Sequence, residues 1–255
     1  MGFLVDRGPK GRSRRAGDRR GPGRGRVRGE GPARTTGPPV KTRGLLVFDL
    51  DGTLFRGDRA TVAAVREAFG NLGLAPPEAE EICSYFGRPI HEFHAWLRGI
   101  VPGRDIGEML GWIERRETEL VPLEGRLFPG VREMLERFKS EGFRLAICSN
   151  GRNPYARTVL ESQGIAGFFE AVRLREIETE NKTIMARDLL AAIPARPAVV
   201  IGDRRDDIDA GKANGALAIG CAYGYGPREE IAGADAIVET AGEIPDAVAR
   251  LIAVL

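Results

Sequence analysis

Acidic residues gather at two places where the chain leaves an apolar run. Leu45-Leu46-Val47-Phe48 is followed by Asp49-Leu50-Asp51-Gly52-Thr53-Leu54, and Ala198 to Ile201 by Gly202-Asp203-Arg204-Arg205-Asp206-Asp207. Two carboxylates one residue apart at the end of a buried run are costly unless a cation or phosphate chemistry uses them. Standing alone, such a pair serves equally well as a cap or turn. The second cluster, built the same way, weighs against that simpler reading. Oxygen-rich clusters suit a hard cation such as Mg2+, which takes carboxylates, water and substrate phosphate in an octahedral shell. Nowhere do His and Cys residues fall at zinc spacing.

A third apolar run, Phe143 to Ile147, ends in Cys148-Ser149-Asn150-Gly151. The Ser149 hydroxyl and the backbone N–H groups of that turn can donate to a phosphoryl oxygen. Lys182, one of three lysines after residue 44, opens a helix at Asn181-Lys182-Thr183. An ammonium there offsets the charge of two carboxylates plus a phosphate.

The elements that must position these groups alternate between short apolar runs and helical periodicity, which is the pattern of an α/β fold with a mainly parallel sheet. Strands are expected at Leu45 to Phe48, Phe143 to Ile147, Phe168 to Leu174, Ala198 to Ile201 and Ala216 to Cys221. Val131, Met134, Leu135 and Phe138 recur at i, i+3, i+4 and i+7 and mark one amphipathic helix; Val248, Leu251, Ile252 and Leu255 mark another. Residues 55–125 break the alternation. They read as helices only, around 60–72, 77–85, 89–98 and 106–120, a block too long for an ordinary connection. The expected organisation is therefore a core of residues 44–54 and 126–255 with a helical cap, 55–125, inserted into it.

The 255 residues carry 38 Lys+Arg against 36 Asp+Glu, a net charge of +2 that averages two unlike parts. Residues 1–43 hold 13 bases and three acids (+10), leaving −8 for the rest. That basic segment has ten Gly and five Pro, and is expected to stay disordered. It reads as an inert or untranslated extension, with Val27 or Val40 as the true start, or as an arm that binds phosphate backbones nonspecifically. The latter gives a non-enzymatic alternative, an RNA-associated protein. No apolar run is long enough for a membrane span. Three widely spaced cysteines without a CxxC fit reduced thiols in a cytoplasmic protein.

Taken together and in this order, Asp49-x-Asp51-Gly-Thr, Ser149-Asn150, Lys182 and Gly202-Asp203-x-x-x-Asp207 resemble the four motifs of the haloacid dehalogenase superfamily. The helical insert resembles its phosphoglycolate phosphatase-like subgroup. The resemblance implies a Rossmann-like parallel-sheet core with an α-helical cap and a Mg2+-dependent phosphatase. In that family pattern Asp49 attacks phosphorus and Asp51 serves as acid and base. Asp49, the Asp51 carbonyl, Asp203 and Asp207 hold the metal, with Asp206 competing for the last place. Ser149, Asn150 and Lys182 bind the transferring phosphoryl group. The implied substrate is a small phosphate ester, phosphoglycolate first, with 5′-nucleotidase, pyrophosphatase and, lower, phosphomutase activities as alternatives. Two departures bear on the substrate: Arg56 stands where relatives carry an acid, and Thr183 where they carry Pro. Arg56 is a candidate for a second anionic group, or for solvent. In the cap, Arg88 of Gly87-Arg88-Pro89 is a candidate for substrate recognition.

Overall fold

The computed structural model describes residues 42–101, 103 and 105–254. The basic segment therefore lies almost wholly outside the described residues. β1 (Gly44–Phe48) is completely buried, and its alternating side chains feed two separate cores. Leu46 and Phe48 pack on one face of the sheet, Leu45 and Val47 on the other. A strand covered on both faces reads as an unbroken apolar run, which is why no polar residue interrupts it.

The chain then makes β2 (Phe55–Arg56) and four helices, α1 (Asp58–Asn71), α2 (Ala79–Cys83), α3 (Ile90–Ile100) and α4 (Gly107–Glu124), before β3 (Arg126–Leu127). The expectation of helices only between 55 and 125 is corrected at its edge. Phe55–Arg56 pairs antiparallel with Arg126–Leu127, so a two-stranded ribbon brackets the helices. Two residues per strand leave no periodicity to read.

The remaining elements are α5 (Val131–Ser140), β4 (Phe143–Ser149), α6 (Asn153–Ser162), β5 (Ala171–Leu174), α7 (Lys182–Ala192), β6 (Ala198–Gly202), α8 (Arg205–Ala213), β7 (Leu217–Cys221), β8 (Ala236–Val238) and α9 (Ile244–Ile252). The main sheet has six strands in the order β5-β4-β1-β6-β7-β8, every neighbouring pair parallel. Residues 168–170 of the expected fifth strand are not strand, because Ala166–Phe168 forms a 3-10 turn first. The three-residue β8 is too short to leave a pattern.

The order places β1 between β4 and β6: the chain runs outward from β1 to β4 and β5, then returns past β1 to β6 and runs the other way to β7 and β8. Ligands bind beyond the carboxyl ends of strands at such a reversal. The Asp49, Ser149 and Asp203 turns all sit at that end of three adjacent strands. Cys148 and Cys221 are small core residues, both buried. No described helix is long and apolar enough to cross a membrane.

Candidate active site

Three strand ends and one helix start converge on a buried ion cluster. The Lys182 ammonium donates to Asp49 Oδ1 and to Asp207 Oδ1, each at 2.7 Å. All three side chains are only 1% exposed. Asp49, Asp203 and Asp207 offer oxygens within 4.8 Å of one another. Local geometry explains each placement. Asn181 caps α7 by accepting from the Ile184 amide at 2.9 Å, which sets Lys182 at the first helical position. Asp207 folds back from the first turn of α8 to accept from the Arg204 amide at 3.2 Å. That turn is why the two acids sit four residues apart: Asp203 ends the strand, and Asp207 stands at the third helical position.

Asp203 is fixed from a loop beyond β7. Its Oδ2 accepts from the Tyr225 amide at 2.7 Å and the Gly226 amide at 3.0 Å. Gly52 makes the approach of the first motif possible. Its φ is +86°, and a Cβ there would lie 2.3 Å from Asp203 Oδ2.

The electrostatics show a cation deficit. Burial raises the carboxyls of Asp49 and Asp207, opposed by Lys182. Burial and then Asp49 push Asp203 up to about 6. Burial disfavours the Lys182 ammonium, yet Asp207 and Asp49 outweigh it and hold the group well above its ordinary value. Three carboxylates and one ammonium leave two negative charges, the complement of a divalent cation. Asp49 Oδ2 and Asp203 Oδ1 are buried without a hydrogen-bond partner among the described residues. Orphaned carboxylate oxygens in a closed pocket call for a missing partner. The donor set is all oxygen, so the residues fit Mg2+ better than a soft metal.

Asp51 is held differently. Its Oδ1 accepts from the Tyr155 hydroxyl at 2.5 Å. Burial pushes its carboxyl up to about 8, against the Tyr155 hydrogen bond, which lowers it. An acid so placed carries its proton at neutral pH. Asp51, Ser149 and Asn150 line a cavity of about 270 Å3 that runs up to α1–α4. Asp49 and Lys182 do not line it. The Ser149 Oγ accepts from the Gly151 amide at 3.0 Å, which leaves its own proton to donate.

The other expected site residues separate. Asn150 is present, but its amide is engaged with protein: Nδ2 donates to the Gly87 carbonyl at 2.8 Å and to Asp206 at 3.2 Å, while Oδ1 accepts from Arg175 at 3.0 Å. Asp206 thus faces Asn150, and Asp207 joins the cluster. Arg88 lines the cavity with its guanidinium 5.5 Å over the Tyr85 ring and 3.6 Å from Glu92. Arg56 does not line it. Half exposed, it lies 5.7 Å over the Phe128 ring and 3.7 Å from Asp58. Of the two expected roles for Arg56, the structure favours solvent, because the β2–β3 ribbon turns its side chain away. His94 pairs with Glu114 at 3.1 Å.

Several functional contacts were not legible in the sequence. Tyr155 opens the helix after the Ser149 turn, and no residue pattern marks its hydroxyl. Arg204 is fully buried. Its guanidinium donates to the Phe86 carbonyl at 2.7 Å from Nη2 and 3.0 Å from Nε, and to the Ser84 carbonyl at 2.7 Å. It thereby clamps the loop after α2 onto the second acidic motif. Its place beside Asp203 and Arg205 in sequence carries no mark of that role.

These elements define a doubly wound α/β core with a polar, acid-rich end at its strand termini. The haloacid dehalogenase-like hydrolase family model matches residues 46–221, and the chain belongs to that family. It is 29% identical over 203 residues to tyrosine-protein kinase PtkA of Mycobacterium tuberculosis, covering 78% of this chain and 68% of the relative. It is 25% identical over 186 residues to a phosphoglycolate phosphatase of Aquifex aeolicus, covering 71% and 85%. Among solved structures, a haloacid dehalogenase-like hydrolase of Streptococcus pneumoniae shares the fold with a TM-score of 0.71 at 22% identity, covering 80% of this chain and 98% of that one.

Proposed function

We propose that this chain is a Mg2+-dependent phosphoric monoester hydrolase acting through an aspartyl-phosphate on Asp49. The observation that supports it best is the pair of orphaned oxygens on Asp49 and Asp203. In this reading residues 44–54 and 126–255 form the catalytic core and 55–125 the cap. An Asp49 oxygen attacks phosphorus as the bond to the leaving oxygen breaks, and Asp51 gives that oxygen its proton. Water then attacks the same phosphorus, Asp51 takes the proton back, and the bond to Asp49 breaks to release inorganic phosphate. Asp49, the Asp51 carbonyl and Asp203 would hold the cation, with Asp207 supporting it. Bound there, the cation supplies charge neutralisation for the phosphoryl oxygens. Lys182 and Ser149 stabilise the same oxygens, and Asn150 holds the cap loop over them. Asp49 is 2% exposed and lies behind the loop held by Arg204 and Asn150.

The notable candidates for substrate are phosphoglycolate, nucleoside 5′-monophosphates and pyrophosphate. The free cysteines support a cytoplasmic setting. The test is phosphate release from those compounds and from p-nitrophenyl phosphate, with and without Mg2+. ATP belongs in the panel because one relative bears a kinase name. Release that needs Mg2+ is expected. Activity equal in the presence of a chelator would contradict the reading.

A further inference from the structure

The cavity has a second end. Away from Asp51 and Ser149 its wall is built from α1, α3, α4 and the loop after α2, with apolar sides supplied by Ile82, Phe86, Ile90 and Phe93. Set into that wall are Thr61 and Glu117. The Thr61 hydroxyl donates to Glu117 Oε1, and it is the one hydrogen-bond donor to that carboxyl among the described residues.

Glu114 and Arg88, also on the wall, are paired. Glu114 meets His94 at 3.1 Å and Arg152 at 3.5 Å. Arg88 is taken by Glu92 and the Tyr85 ring. Arg115, exposed, also lines the cavity, and no described carboxylate lies within ion-pair distance of it. Glu117 has no basic side chain within ion-pair distance among the described residues, although it faces a mostly apolar space. Burial pushes its carboxyl up to about 7, against the Thr61 hydrogen bond, so the empty cavity leaves it short of a partner. A polar group placed in an apolar pocket fixes the orientation of whatever enters.

We infer that Glu117, oriented by Thr61, recognises an ammonium group on the leaving-group side of the substrate, so that the cavity selects aminoalkyl phosphates over phosphate esters bearing a carboxylate. The phosphate sits at the Asp51 and Ser149 end, the short carbon chain crosses the apolar walls, and the ammonium donates to Glu117. A carboxylate in the same place would face Glu117 with like charge, and the exposed guanidinium of Arg115 is the cation that this repulsion must outweigh. A site built around one hydrogen bond discriminates strongly against an analogue that cannot make it. The inference rests on the phosphatase reading above and narrows it. It ranks phosphoglycolate below its near-isostere phosphoethanolamine.

The experiment compares kcat/KM for phosphoethanolamine and phosphoglycolate, with p-nitrophenyl phosphate as a general phosphatase substrate. The native chain is expected to favour phosphoethanolamine by about tenfold or more, expressed mainly in KM. Glu117→Gln should lower that ratio by about tenfold, and Glu117→Lys should reverse it; Thr61→Val should move it the same way by less. Circular dichroism establishes that each variant is folded, and the isosteric Gln variant decides if the Lys variant is not. A native preference for phosphoglycolate, or an unchanged ratio in folded Glu117→Gln, overturns the Glu117 assignment while p-nitrophenyl phosphate turnover leaves the phosphatase reading standing. No Mg2+-dependent release from any of the three overturns both.

Discussion

The ion cluster at the strand ends and the cavity wall on the helices both carry acidic side chains and are organised in opposite ways. At the strand ends each charged group has a partner on one oxygen or nitrogen from the protein itself, with Asp49 Oδ2 and Asp203 Oδ1 left open for a cation. Lys182 bridges Asp49 and Asp207, two amides fix Asp203, and Tyr155 fixes Asp51. At the helical end, Glu117 stands in an apolar wall with one hydroxyl for company. The first arrangement is rigid before any ligand arrives, as transition-state stabilisation requires. The second is incomplete until a ligand arrives, as selection among ligands requires. Chemistry and choice of substrate are thus divided between strand termini and helix faces.

The sharpest way to break the comparison is at Lys182. Lys182→Met leaves Asp49 and Asp207 buried without a counter-charge, and removing one partner of a buried ion pair costs about 3–5 kcal/mol. Loss of phosphate release together with a lower Tm is expected. Mg2+ should restore part of the Tm, because the cation supplies the missing positive charge. A variant as stable as the native chain would show that the cluster does not depend on its ammonium.

Arg204 joins the two ends, since it holds the Ser84 and Phe86 carbonyls against the core. Arg204→Met removes the clamp without adding bulk. The expected result is a fall in kcat/KM of about tenfold to a hundredfold, from misplacement rather than lost chemistry. Lysine at this position should recover little, because a point ammonium cannot reach both carbonyls as the planar fork does. Full recovery by lysine would reduce Arg204 to a charge.

The smallest effect belongs to Tyr155. Its hydroxyl lowers the Asp51 carboxyl against burial, which has raised it to about 8. Activity that needs protonated Asp51 is present below that value and lost as pH rises through it; a bound cation draws the limb lower. Tyr155→Phe removes the lowering contact, so the alkaline limb of kcat should move upward by less than a pH unit or so. A downward movement would show that the hydroxyl serves the protonated form.

How much of this could be read from the sequence follows the same division. Asp49, Asp51, Ser149, Asp203, Asp207 and Lys182 lie at element termini, where a few consecutive residues dictate the turn and hence the direction of the side chain. Their order along the chain, read against the alternation of strands and helices, was sufficient to bring them together. The buried run of β1 and the stripe of α5 were legible for a similar local reason. Glu117, Thr61 and Tyr155 occupy unremarkable places on helices, and only the packing of α1 and α6 against α4 turns them inward. Arg56 was open to two readings for the complementary reason: nothing in the sequence shows that pairing of β2 with β3 leaves it beside Asp58 and Phe128, outside the cavity lining.

The central claim is that Asp49 carries the phosphoryl group. The direct measurement is rapid acid quench of the chain during Mg2+-dependent turnover, followed by mass spectrometry of the peptide containing residues 44–56. The account predicts a phosphoryl group on Asp49 that is absent in Asp49→Asn, with that variant folded and its turnover reduced at least a thousandfold, of the order seen when a nucleophile is removed. Turnover retained by Asp49→Asn, or phosphoryl found on another residue, would contradict it.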